Sequence, residues 1–432
     1  MAAEPSGWQK LARRLWFAAP PKPPVVAPGL YHYSRQVNGQ ITRFHLRVEP
    51  DGSGLLLANA ANAGTLSAAG TVIAKWILDG ATDAQTLEAL AAEFRGATRE
   101  QMEADVAQVC ALIAELSRPG DNYPITNLED PYLAPLQARL GAPYRADVTQ
   151  AEPEALAPII ARLWEIGIPH VTFDGQLDRS PQELVRLVQM AADTEMIAGV
   201  WATGGWLGGD AVLRELALAG VDHLTLLYVS ADAAVHDGFA GPGDHAATEA
   251  AFAKAQEWEV CPVARVPLVA DTARGVREVC RRLCGQGVTN LSFFAIADEG
   301  EPTDGAVAGR MLPQVAAEVI EASEEENVRF LWEPPVRRDP AKSLGEQTIA
   351  GPRAGGDVAI RVEPDGSVFA ARGPRTSCGN LLTDAWPAIW GSECFTRYRE
   401  RVESPTRCLE CPDLVICAAD CPKDARGWSD DR

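Results

Sequence analysis

Four cysteines in "CLECPDLVICAADC", residues 408 to 421, set the first chemical question. Cys408, Cys411, Cys417 and Cys421 follow a C-x2-C-x5-C-x3-C spacing, and four thiolates closing one site suit a [4Fe-4S] cluster or a structural zinc. Cys378 and Cys394 precede them, so six of the ten cysteines crowd the final segment. The other four, Cys110, Cys261, Cys280 and Cys284, are scattered through predicted helices and strands. The N-terminus lacks an apolar core with a small-residue cleavage site, and no apolar run approaches the roughly 20 residues that span a bilayer. The chain therefore reads as cytoplasmic, without a transmembrane segment, and in a reducing compartment thiols are metal ligands sooner than disulfides.

Other reactive side chains form no catalytic constellation. "VCRRLCGQG" places Cys280 and Cys284 on an amphipathic helix, with Gly287 where a third ligand would stand, so both read as core. His170, His223, His236 and His245 lie near predicted strand ends or in "HDGFAGPGDH", where solvation is the ordinary fate of a histidine. No histidine follows His245, so a non-thiol ligand in the tail would be Asp413, Asp420 or Asp424. No triad or phosphate loop is present, and no catalytic residue is assigned. With 432 residues the chain is multidomain, and 47% hydrophobic with 23% charged residues is a globular composition. A net charge of -20, with no basic stripe, excludes nucleic acid as a partner.

The elements around these residues fall into four stretches. Residues 1–27 hold a short amphipathic helix, with Trp8, Leu11, Leu15 and Trp16 at helical spacing, on a proline-rich tether. It reads as packed on its own protein; the alternative is peripheral docking on a membrane surface or a partner. Residues 28–118 open with a hairpin, "RFHLRVEPDGSGLLLANA", followed by three helices, two of which begin at capping boxes, Thr82 with Gln85 and Thr98 with Gln101. This is a small unit of winged-helix type. Its stretch "LLLANAANAGTLSAAGTVIAKWILDGATDAQTLEAL" resembles the PqqD-like peptide-binding domains. The resemblance implies that a leader peptide joins the sheet edge near Gly64, Thr65 and Leu66, with Met102 and Val106 on the facing helix. The plain alternative is that Met102, Val106 and Cys110, at i, i+4 and i+8, are core.

Residues 119–340 alternate strand and helix: "RADVTQ", "HVTFDG", "GVWATGG", "HLTLLYVSAD", "VCPVARVPL" and "NLSFFAIAD" separate helical stretches such as "PEALAPIIARLWEIG". Such alternation predicts a parallel sheet or barrel with any site at the strands' C-terminal ends. The order of these segments resembles a radical S-adenosylmethionine (SAM) enzyme, which implies an α/β, partial (β/α)6 barrel. That family holds its SAM-binding [4Fe-4S] cluster on CxxxCxxC after the first barrel strand. Here "APYRADVTQ" runs directly into "AEPEALAPII", without cysteines. The family's Gly-Gly-Glu-Pro reads Asp174, Gly175, Gln176 and Leu177, and its Thr-Asn-Gly reads Thr203, Gly204 and Gly205; Ser230 matches the serine of the fourth strand. The resemblance thus implies a degenerate member that does not bind or cleave SAM.

Residues 341–432 resemble the auxiliary-cluster (SPASM) extension of peptide-modifying radical SAM enzymes, in "GNLLTDAWPAIW" and in the four-cysteine spacing. A family cysteine is replaced around Ala370 and Ala371, and the last one expected beyond Cys421 is not found before Arg432. Three arrangements stay open: one four-thiolate site on Cys408, Cys411, Cys417 and Cys421; two clusters, on Cys378, Cys394 and Cys421 and on Cys408, Cys411 and Cys417; or a metal-free tail. Metal binding is expected over decay, because exposed idle thiols oxidise, and iron-sulfur over zinc. The expected function is a pseudoenzyme-like component that binds a peptide or a partner protein, such as an intact radical SAM enzyme. The alternatives are an iron-sulfur electron-transfer subunit or SAM-independent enzyme, and a zinc-braced structural subunit.

Overall fold

A computed structural model describes residues 25–37, 40–59, 62–94, 96–117, 141–298, 305–333, 335–354, 359–371 and 375–396. The N-terminal amphipathic helix, Cys408, Cys411, Cys417, Cys421 and the three tail aspartates lie outside the described residues.

Four strands, β1 (Gly29–Val37), β2 (Gln40–Val48), β3 (Gly54–Ala58) and β4 (Asn62–Leu66), form an antiparallel meander in chain order. Period-two alternation gives this sheet one face of Phe44, Leu46, Leu56 and Leu66, buried against helices Ala68–Asp79, Asp83–Glu93 and Arg99–Leu116. Each helix starts where its polar residue allows. Ser67 accepts from Gly70 N–H, and both predicted capping boxes are made, at Thr82/Gln85 and Thr98/Gln101. A cap of this kind contributes about 1 kcal/mol, which matters for helices too short to be stable alone.

The second sheet carries six parallel strands in chain order: β5 (Arg145–Thr149), β6 (His170–Asp174), β7 (Ile197–Ala202), β8 (His223–Leu227), β9 (Cys261–Leu268) and β10 (Asn290–Asp298). Each is one of the six β-branched-rich segments read from the sequence. Their outer face (Val148, Phe173, Val200, Leu226, Val266, Phe293) is fully buried against the intervening helices, among them Pro153–Ile166, Pro181–Asp193 and Asp244–Glu257. Cys280 belongs to this core and Cys284 packs against it, as their helical spacing predicts. The sheet ends with β11 (Val307–Ala308), β12 (Arg329–Trp332) and β13 (Val336–Arg337), all on β10. At the opposite edge β14 (Ala359–Val362) pairs parallel with β5 and leads antiparallel into β15 (Ser367–Ala370) and β16 (Gly379–Asn380). The sheet thus runs across the sequence boundary drawn at residue 340. Among the described residues no helix is long and apolar enough to cross a membrane.

The heptapeptide "RVEPDGS" occurs at 47–53 and 361–367 and folds the same way twice. In each copy the aspartate accepts from the serine N–H two residues on (Asp51 and Asp365, both 2.9 Å), and glycine takes a left-handed turn (Gly52 φ 87°, Gly366 φ 85°). Each arginine pairs through Nε with the glutamate two residues later, Arg47 with Glu49 at 2.9 Å and Arg361 with Glu363 at 3.2 Å. One hairpin thereby delivers a guanidinium to each end of the large sheet. Arg47 donates to the carbonyls of Pro143 (3.0 Å) and Gly167 (3.3 Å), just before β5 and β6, whereas Arg361 reaches the far ends of the same strands.

The small sheet therefore sits on the N-terminal ends of the parallel strands. Leu55 and Leu57 bury Tyr144, His45 Nε2 donates to the Glu195 carbonyl (2.8 Å), and Arg43 pairs with Asp222. Both faces of the small sheet are covered, and β1 packs on helix Pro153–Ile166.

Candidate functional site

The inner face of the parallel sheet is polar and buried. Alternate residues place Arg145, Asp147 and Thr149 on β5, His170, Thr172 and Asp174 on β6, Gly199 and Trp201 on β7, His223 and Thr225 on β8, Arg265 on β9 and Ser292 on β10. Charges buried together survive only when paired. Arg145 Nε meets Asp147 at 2.8 Å, Arg265 meets Glu333 at 3.6 Å, and Ser292 Oγ donates to Glu333. Burial drives the Asp174 and Glu333 carboxyls up, opposed by Arg361 and Arg265 respectively, and brings the Arg265 guanidinium down to about 10. Arg265 also stacks on Trp201, 3.0 Å from the ring centroid.

The C-terminal ends of β5 and β6 are closed by protein groups. Arg361 Nη1 pairs with Asp174 at 2.7 Å while its Nη2 donates to Thr149, whose own hydroxyl donates to Glu363 (2.5 Å). Three residues separate β5 from helix Pro153–Ile166, and the first of them, Gln150, accepts from Gln176 N–H (2.9 Å) and donates to the Ser180 carbonyl (2.9 Å). Between β6, β7 and β8 a cavity of about 20 Å³, lined by Asp174, Trp201, Thr203, Trp206, Arg265 and Ile349, leaves room for one water. Leu177, 59% exposed, stands at its rim. Gly204 lies against helix Asp244–Glu257, where a Cβ would collide with the Thr248 backbone. The asparagine that the sequence reading misses at this position therefore has no space here.

All four histidines expected in solvent are buried, which corrects that expectation. His170 and His223 meet Nε2 to Nε2 at 2.7 Å beneath Gly199, where any Cβ would strike the His223 ring. One ring nitrogen donates and the other accepts. Burial holds His170 well below the usual imidazole range and His223 at about 3, with Arg145 adding to both. His236 accepts from Val229 N–H (3.1 Å) and donates to Asp244 (2.9 Å), which also accepts from Gly205 N–H (2.6 Å). His245 contacts the Tyr228 hydroxyl at 3.2 Å. These bonds anchor the loops after β7 and β8.

Of the cysteines singled out as ligands, Cys378 and Cys394 are described, and the fold sets them side by side, both half-buried. Interaction between the two thiols pushes Cys378 up and brings Cys394 down to about 6, below the usual thiol range. A thiol lowered in this way supplies the thiolate that metals bind. Among the described residues no group of three or more His, Cys, Asp or Glu converges on one point. In the small sheet, Thr65 is exposed on β4 and Leu66 is buried, while Met102 and Val106 lie in the core under the sheet. Cys110 packs against the same core, and burial raises its thiol.

No family model matches the chain, and no curated protein matches its sequence. Solved structures do match its fold. The chain is similar to SuiB of Streptococcus suis. SuiB bound to S-adenosylmethionine shares 10% identity over 93% of this chain and 99% of its own, with a TM-score of 0.53. SuiB bound to the precursor peptide SuiA gives 11%, the same coverage and a TM-score of 0.50. At such identity the likeness to SuiB is one of fold, an α/β architecture with a parallel sheet, and it extends over nearly the whole of both chains.

Proposed function

We propose that this chain is a degenerate radical SAM/SPASM-type protein that binds a peptide or a partner enzyme and does not cleave SAM. In this reading the parallel sheet is the partial barrel of that family, and the small sheet with its three helices is the PqqD-like peptide-recognition unit. The observation that carries it is the closure at β5 and β6. Where the family's cluster loop and SAM segment belong, Gln150 is tied to Gln176 and Arg361 to Asp174, and the cavity beside them has room for one water. The fold shared with SuiB, a protein solved both with SAM and with its precursor peptide, supports a common scaffold. Peptide capture stays open to this chain, because β4 ends the small sheet and keeps an unpaired edge among the described residues.

The adjacent Cys378 and Cys394 favour a second reading, an electron-transfer subunit. Together with Cys421 they would hold one cluster, and Cys408, Cys411 and Cys417 a second; alternatively Cys408, Cys411, Cys417 and Cys421 would close one. A [4Fe-4S] cluster, when bound, supplies a one-electron relay, and zinc in its place would brace the tail. Protein purified without oxygen tests both readings through its iron, zinc and sulfide content and through incubation with SAM and dithionite. Tail-bound iron with no 5′-deoxyadenosine above background is expected. One or more equivalents of 5′-deoxyadenosine overturn the pseudoenzyme reading, and zinc without iron overturns electron transfer.

A further inference from the structure

Resting on the peptide-binding reading above, we infer that the segment joining β4 is cationic and carries the order basic, any, apolar, any, basic. The β4 edge runs beside helix Arg99–Leu116, and two contacts fix their alignment. Asn62 Nδ2 donates to the Leu116 carbonyl (3.2 Å), and the Leu112 side chain lies 3.2 Å from where a Gly64 Cβ would stand. Asn62, Gly64 and Leu66 thus face the helix, and so do alternate residues of any strand added outside β4. On the helix, the stripe through Leu112 at i, i+3, i+7 and i+10 reads Asp105, Gln108, Leu112 and Glu115. Its polar members are exposed, Leu112 is half-buried, and it contains no basic residue.

Spacing turns this stripe into a pattern. Ten helical residues separate Asp105 from Glu115 by ~15 Å, and strand residues i and i+4 lie ~13 Å apart on one face. Two cationic side chains at that interval reach the two carboxylates, while the residue between them on the same face lies over the helix between Gln108 and Leu112 and packs on the Leu112 side chain. Opposite charges facing each other select the partner and raise its on-rate, and the chain's net charge of -20 adds to the attraction.

The test uses the full chain and two labelled ten-residue peptides centred on Lys-Thr-Val-Thr-Lys and Glu-Thr-Val-Thr-Glu. At about 50 mM salt the lysine peptide is expected to bind about tenfold tighter and to slow amide exchange at residues 62–66. Asp105→Lys/Glu115→Lys is expected to abolish the preference. Glu88→Lys/Glu324→Lys, which changes the net charge equally at remote exposed positions, is expected to retain it. Protection of 62–66 with equal affinity for both peptides, or equal loss in both double variants, overturns the charge inference and leaves β4 as the docking edge. Binding of neither peptide, or no protection of 62–66 by either, overturns both.

Discussion

Arg361→Met is expected to lower folding stability by about 3 kcal/mol, because it leaves Asp174 buried at the end of β6 without its ion pair. The pair is 2.7 Å long, with side chains 11% and 21% exposed, so solvent replaces little of the lost interaction. In a domain of this size the loss lowers the melting temperature by roughly 6–12 °C. Asp174→Asn in the same background removes the stranded charge and should recover most of the loss, giving a coupling energy of about 2 kcal/mol in the double-mutant cycle. The pH dependence supplies a second readout. Burial already raises the Asp174 carboxyl and Arg361 opposes it, so without the guanidinium the folded variant takes up a proton at higher pH. A group raised in the folded state stabilises on acidification, so the deficit should be smaller at pH 5.5 than at pH 8. A single-variant loss below about 1 kcal/mol, or strict additivity, would mean that Arg361 does not close the strand end.

This closure leaves little local trace in the sequence. "RADVT", "HVTFD" and "HLTLL" announce strands plainly, since β-branched and aromatic residues alternate with polar ones, and all six parallel strands form where such segments lie. His170 and His223 read as solvated because they lie near strand ends, and alternation ordinarily signals one face in water. Here the polar face is turned inward and satisfied by ion pairs whose partners come from far along the chain: Glu333 for Arg265, Arg361 for Asp174. β14 spans only four residues and carries no mark of a partner strand more than two hundred residues earlier. One signal was available. The repeated "RVEPDGS" gives each copy an arginine held by its own glutamate, and both arginines prove to be plugs at opposite ends of β5 and β6. The capping boxes were legible because their bonds are local.

The steepest response is expected on acidification. His45 and His223 are held at about 3 by burial, and His170 is held well below the usual imidazole range. Well above pH 6.5 these rings are neutral in both states, and their contribution to stability is fully present. Between 6.5 and about 3 the unfolded chain binds protons that the folded one refuses, so stability falls as pH drops. Each ring adds a slope of up to ~1.4 kcal/mol per pH unit, and the three act in the same direction, before opposing terms. Asp174 and Glu333, raised by burial, oppose this in the acid range, and a histidine variant separates the two contributions. His45→Gln keeps a donor for the Glu195 carbonyl, and it removes a ring whose Nδ1 is buried without a hydrogen-bond partner. Urea melts at pH 7.5, 6.5 and 5.5 should show the variant losing about a third less stability across the range than the native chain. The physical reason lies in the fold. Imidazoles seated between the small sheet and the parallel sheet, and inside the latter, can accept a proton only by breaking the packing that joins the two. A native stability flat from pH 7.5 to 5.5, or an identical slope in His45→Gln, would show that these rings titrate without that cost.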